Sequence, residues 1–161
     1  MNSVPRPYPL SVSDALAAEG IESVVQAAHE ARLRAHAPYS HFQVGAALLC
    51  EGGEIFLGCN VENVSYSLTI CAERVAAASA IVAKRHRWTA IVIVSRGGVA
   101  PCGACRQFLA EFGNDLRIIT VDADTACRRE HRLSSLLPHA MERSALDQPT
   151  SQPKHTGGSG Q

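Results

Sequence analysis

Thr89-Ala90-Ile91-Val92-Ile93-Val94-Ser95 decides how this chain folds. The centre of the run is apolar at every position and lacks the alternation of a strand with one wet face, so it predicts a strand covered on both sides. Helical stretches flank it. Upstream, residues 71 to about 85 predict a helix whose run Ala76-Ala77-Ala78-Ser79-Ala80-Ile81-Val82-Ala83 is small or apolar nearly all the way round. Such a helix needs cover on more than one side, and a second subunit is the simplest cover in a chain of this size. Downstream, Pro101 suits a first helical turn and Gly113-Asn114 a stop, which predicts a helix from about 101 to 112. Leu116 to Val121 predicts the next strand, parallel to the first across that helix.

Further out, the apolar runs Phe42–Leu49 and Ile55–Val61 around Gly52-Gly53 read as a hairpin. Side chains alternate along a strand, so Asn60 and Glu62 fall on one face if the pairing reaches them, where they could grip one ligand. Asn60 is also a common turn residue, and that plainer reading competes. Before the hairpin, Leu16, Ile21, Val24, Val25, Ala28 and Leu33 recur at helical spacing, with Ser13 or Asp14 as cap and an end near Ala37 imposed by Pro38. Beyond Val121, residues 122–132 are polar and Leu133–Pro138 predicts a short helix. Residues 1–10, with Pro5, Pro7 and Pro9, are expected to form a flexible arm. Residues 11–143 then form one α/β layered domain and residues 144–161 a disordered tail.

The 161 residues suit a single domain, and a net charge of zero without a block of like charge offers no footprint for nucleic acid or an anionic membrane. No apolar run approaches the roughly 18 residues of a spanning helix, and prolines stand where a signal peptide would be apolar. The expected partner is a small uncharged molecule, and the expected location is cytoplasmic.

Both helices that flank the apolar strand begin at cysteine. Cys71-Ala72-Glu73-Arg74 opens one, and Pro101-Cys102-Gly103-Ala104-Cys105-Arg106-Gln107 opens the other. In a reduced compartment a Cys-x-x-Cys pair is more often a metal or redox site than a disulfide. A thioredoxin-like reading of Cys102 and Cys105 leaves Cys71 and Glu73 without a role. Three cysteine thiolates instead make a zinc site with a fourth corner left for water, and Glu73 stands where a proton shuttle is needed. A closed structural zinc site would require a fourth protein ligand, and the histidines show no ligand spacing. Three thiolates against Zn²⁺ leave one net negative charge. Two helix N-termini offset about one unit, and Arg74 is expected to hydrogen-bond one or two of the sulfurs and offset more.

Taken with Pro38–Ala47, the segment Asn60-Val61-Glu62-Asn63-Val64-Ser65-Tyr66-Ser67 and Leu136-Leu137-Pro138, these motifs resemble the small homotetrameric zinc-dependent cytidine deaminases. The resemblance covers roughly residues 37–140. It implies a three-layer α/β/α fold with a five-stranded mixed sheet, one Zn²⁺ per subunit on Cys71, Cys102 and Cys105, and active sites shared between subunits. It further implies hydrolytic deamination of cytidine and deoxycytidine, in pyrimidine salvage, with Glu73 carrying the protons. Asn60 and Glu62 would hold the ribose, and Phe42 would pack against the pyrimidine. Where the family usually places a phenylalanine that reaches a neighbouring subunit's pocket, this chain has Met141, which fills space but cannot stack. That departure keeps a deaminase of aminonucleoside antibiotics, of the blasticidin S type, as an alternative. A zinc-stabilised binding module without catalysis is a second.

Overall fold

The computed structural model describes residues 20–113 and 115–146. The expected arm at 1–10, the Ser13 or Asp14 cap and the tail from residue 147 lie outside them. In chain order come α1 (Gly20–Arg32), β1 (Val44–Cys50), β2 (Ile55–Cys59), α2 (Ala72–Val82), β3 (Trp88–Ser95), α3 (Gly103–Ala110), β4 (Arg117–Asp122), β5 (Arg128–Arg132) and the single turn α4 (Leu133–Leu136). A further 3-10 turn at Arg143–Ala145 crosses the expected boundary between domain and tail.

The strands form one sheet in the order β2-β1-β3-β4-β5. β3 and β4 are parallel, and the other neighbouring pairs are antiparallel. Alternation along the strands sorts the core into two layers. Ala46, Leu48, Ile91, Ile93 and Ile118 pack with Ala76, Ala77 and Ala80 of α2, Leu109 of α3 and Leu133 of α4. Ala47, Val92, Val94, Ile119 and Val121 pack with Val24, Val25 and Ala28 of α1 on the opposite face. The result is the expected α/β/α sandwich around a five-stranded mixed sheet. Each fully buried Leu or Ile contributes roughly 1.5–3 kcal/mol. Both cysteine-started helices contribute to the first of these layers, so the candidate site stands against that side of the core.

Three expectations are corrected. α1 ends at Arg32, not near Ala37, because His36 leaves the helix to donate its N–H to the Asn60 carbonyl at 3.0 Å and accept that of Glu62 at 2.8 Å. Leu33, counted as part of the apolar face, is consequently 72% exposed. The β1–β2 ladder stops at Gly45 opposite Cys59, so Asn60 and Glu62 lie past the strand, in a segment fixed by bridges from Val61 to His36 and Ile70. Residues 128–132, within a stretch that carried no strand signal, form β5. Arg-Arg-Glu-His-Arg is a polar edge strand with almost no buried side chain, so no apolar alternation betrays it.

One glycine governs how α2 sits on the sheet. A Cβ at Gly58 would stand 2.2 Å from the Ala72 carbonyl oxygen and 2.4 Å from the Ala76 nitrogen. Only a residue without a side chain lets the first turn of α2 lie directly on β2, and that turn carries Cys71 and Glu73.

Candidate metal centre and active site

β1 begins and β3 ends at one end of the sheet, where Val44 pairs with Ser95, and β2 ends there opposite Gly45. α2 and α3 both start at this end. Cys71 and Cys102 are their N-cap residues, in extended backbone with ψ of 150° and 166°, and neither side chain makes a capping bond. Their sulfurs are thus left for other partners. Cys105, one turn into α3, is fully buried, Cys71 is partly exposed and Cys102 is exposed.

The three Sγ atoms lie within 4.8 Å of one another, and those of Cys71 and Cys102 are 3.9 Å apart. Ligands about 2.3 Å from a tetrahedral zinc stand about 3.8 Å from each other. The residues therefore fit the ion. Among the described residues no fourth His, Cys, Asp or Glu joins the cluster, which is open on the Cys102 side.

The electrostatics favour ligation. Hydrogen bonding from the Cys105 thiol, then from Arg74 and Cys102, pulls the Cys71 thiol down to about 5 against the opposing effect of burial. Cys105 is pushed the other way, first by that bond to the Cys71 sulfur and then by burial. One sulfur of the cluster is thus a ready thiolate, and a dication has to displace the remaining protons. Arg74 Nη2 donates to the Thr69 carbonyl at 3.2 Å and reaches Cys71 Sγ at 3.9 Å. Its Nε is buried without a hydrogen-bond partner among the described residues.

Glu73 is 5% exposed. Burial first, and the negative charge at Cys71 as well, hold its carboxyl above the ordinary 4.5. A carboxyl that gains a proton more readily than a free one is suited to taking a proton up and passing it on.

Asn60 and Glu62 are both buried, and both shape the segment before β1. Asn60 Oδ1 accepts the Val44 N–H at 2.8 Å, and its Nδ2 donates to the Phe42 carbonyl at 2.9 Å, which leaves one amide proton for a ligand. Glu62 accepts the N–H groups of Tyr39 at 2.9 Å and Ser40 at 3.2 Å, and the Ser40 hydroxyl. These donors, the hydroxyl first, hold its carboxyl below 4.5. Phe42 is half-buried beneath the Arg96 guanidinium, which stands 5.8 Å from the ring centroid. Met141 is 61% exposed, and its backbone is clamped by Gln107, which accepts its N–H and donates to its carbonyl, both at 3.0 Å.

The structure thus brings Cys71, Cys102, Cys105, Glu73 and Arg74 into one cluster, ties Phe42, Asn60 and Glu62 to one another, and leaves Met141 in solvent. Ser40, Arg96, Gly58 and the clamping role of Gln107 escaped the sequence reading. Most of their partners lie in other segments, and only Ser40 and Gln107, inside quoted motifs, carried a local signal.

Residues 18–121 match the family profile described as the cytidine and deoxycytidylate deaminase zinc-binding region. The chain is 48% identical over 109 residues to a probable cytidine deaminase of Dictyostelium discoideum, covering 66% of this chain and 74% of that protein. It is 41% identical over 128 residues to a cytidine deaminase of Sporosarcina psychrophila, covering 78% and 94%. The crystal structure of cytidine deaminase from Burkholderia pseudomallei, 43% identical, superposes with a TM-score of 0.71 over 74% of this chain and 98% of its own.

Proposed function

This chain belongs to the cytidine deaminase family, and from that premise we propose that it hydrolyses cytidine and deoxycytidine to uridine and deoxyuridine with release of ammonia. The observation that carries the reading is the three-sulfur cluster with its open side and a buried carboxyl on the same helix turn. Cys71, Cys102 and Cys105 would hold one zinc, which when bound supplies the Lewis acidity that makes water a nucleophile near neutral pH. Glu73 takes one proton from the attacking water and delivers it to N3 of the pyrimidine. It relays a second to the departing amino group, so that water and cytidine leave as uridine and ammonia. Arg74 offsets the excess negative charge of the thiolates. Phe42 packs against the base, and Asn60 and Glu62 hold the ribose, using the bonding capacity that the 36–43 segment leaves free.

The working form is a homotetramer with shared active sites. Support comes from apolar surface that the described elements leave open at Val82, Phe108 and Met141, and from Arg74 Nε, buried without a hydrogen-bond partner among the described residues, beside a groove lined by Ala104, Gln107 and Phe108. Light scattering at micromolar concentration should give four subunits, and a monomer would refute this. The three thiols must stay reduced to bind metal, which supports a cytoplasmic enzyme, and conversion of cytidine to uridine is consistent with a role in pyrimidine salvage. Met141 favours one further substrate for trial, blasticidin S. Ammonia release from cytidine, deoxycytidine and blasticidin S, with Glu73→Gln as control, is the test. Turnover of the first two that Glu73→Gln lowers by about 10²-fold or more is expected. No ammonia from any of them overturns the proposal.

A further inference from the structure

Phe42 and Arg96 leave the same end of the β1–β3 pair, where Val44 pairs with Ser95, and each has its backbone tied down. The Phe42 N–H donates to Ser40 Oγ at 3.0 Å, and its carbonyl accepts from Asn60. Ser40 is in turn held by Glu62. On the adjacent strand β3, Arg96 follows the fully buried Ser95 and opens a loop that turns through two left-handed glycines, Gly97 at φ 75° and Gly98 at φ 56°. Gly97 N–H donates to Asp122 Oδ1 at 2.9 Å, Gly98 N–H to the Ser95 carbonyl at 3.1 Å and Val99 N–H to Ser95 Oγ at 3.1 Å. Arg129 reaches the carbonyls of Gly97 and Gly98 from β5, each at 3.4 Å. Two fixed backbones thus leave only two side chains to settle their geometry, and they settle it on each other. Arg96 is exposed and forms no ion pair among the described residues, so the aromatic face is its partner rather than a carboxylate.

We infer that Arg96 is a positioning residue for substrate binding, acting through the ring of Phe42. The guanidinium occupies one region of the ring's electron-rich face and limits how far the ring can swing, so the remaining surface is presented to the base in one orientation. The inference rests on the reading that Phe42 packs against the pyrimidine. An exposed cation–π contact is worth enough to change an equilibrium about two- to fivefold, and that sets the expected effect. Because Arg96 acts before chemistry, its loss should appear in KM and leave kcat alone.

The test is a double-mutant cycle on cytidine turnover, with zinc content measured for every variant. Arg96→Ala should raise KM about two- to fivefold with kcat and zinc content unchanged, and Arg96→Lys should recover part of the loss. Phe42→Leu keeps the bulk of the site but removes the π face, and Phe42→Ala removes both. In either background Arg96→Ala should add nothing. If Arg96→Ala raises KM by the same factor with and without the ring, Arg96 acts on something else and the inference alone falls. It also falls if Arg96→Ala leaves KM unchanged while the Phe42 variants raise it. Unchanged KM in both Phe42 variants overturns the platform reading itself, and the inference with it.

Discussion

Gly58→Ala adds one methyl group more than a dozen residues before the first zinc ligand, yet the structure makes it a severe change. The new Cβ would sit 2.2 Å from the Ala72 carbonyl oxygen, where ordinary contact begins at 3.4 Å, so the gap is about 1.2 Å too small. The two atoms it meets first, Ala72 O and Ala76 N, are helix backbone and cannot rotate away, and Val75 Cβ stands behind them at 3.0 Å. α2 must therefore lift from β2 by about 1 Å, carrying Cys71, Glu73 and Arg74 with it. Overpacking of this kind costs about 1–3 kcal/mol, which for a domain of this size lowers Tm by roughly 3–12 °C. A 1 Å displacement of reacting groups costs about 10²-fold in rate. The assay is kcat per bound zinc at a temperature well below the variant's Tm, alongside a melting curve. A Tm within a degree of wild type together with unchanged kcat would show that α2 is not seated through Gly58, and would refute the reasoning.

Arg74→Gln removes the cation beside Cys71, and the affinity for zinc should fall roughly 10–100-fold in competition with a chelator; an unchanged affinity would mean the contact at 3.9 Å does not bear on the metal. Glu62 has its folded-state pKa depressed by Ser40 and the backbone of Tyr39 and Ser40, so its contribution to stability is present above the ordinary carboxylate range and lost as pH falls through the depressed value. The Tm difference between wild type and Glu62→Gln should therefore shrink between about pH 6 and about pH 3, and a difference that grows over that interval would contradict the assignment. Met141→Phe supplies a ring where the chain has a thioether, and KM for cytidine should drop about two- to tenfold; a KM that rises or stays put would show that residue 141 does not meet the base.

What the sequence could disclose follows from where each interaction is encoded. Ile91 to Val94 announced a doubly covered strand because burial on both faces leaves a continuous apolar run, and the cysteines announced their chemistry because all three ligands lie at helix starts and two of them, Cys102 and Cys105, are three residues apart. β5 was silent, since an edge strand of Arg128 to Arg132 needs only backbone pairing with β4 and can carry polar side chains throughout. The end of α1 was misplaced for a related reason. Pro38 permits a helix as far as Ala37, but pairing of His36 with Asn60 and Glu62, over twenty residues away, takes the backbone first. The same distance hid the partners of Glu62 and the contact between Arg96 and Phe42. Local composition marks a residue as available, and only the fold says to what.

The proposed chemistry needs three sulfurs and one open corner at a single zinc. Zinc K-edge X-ray absorption of the protein as purified measures this directly: it should show three sulfur atoms at about 2.3 Å and one light atom at about 2.0 Å, at one zinc per chain. Four sulfurs, or a histidine nitrogen closing the shell, would contradict it.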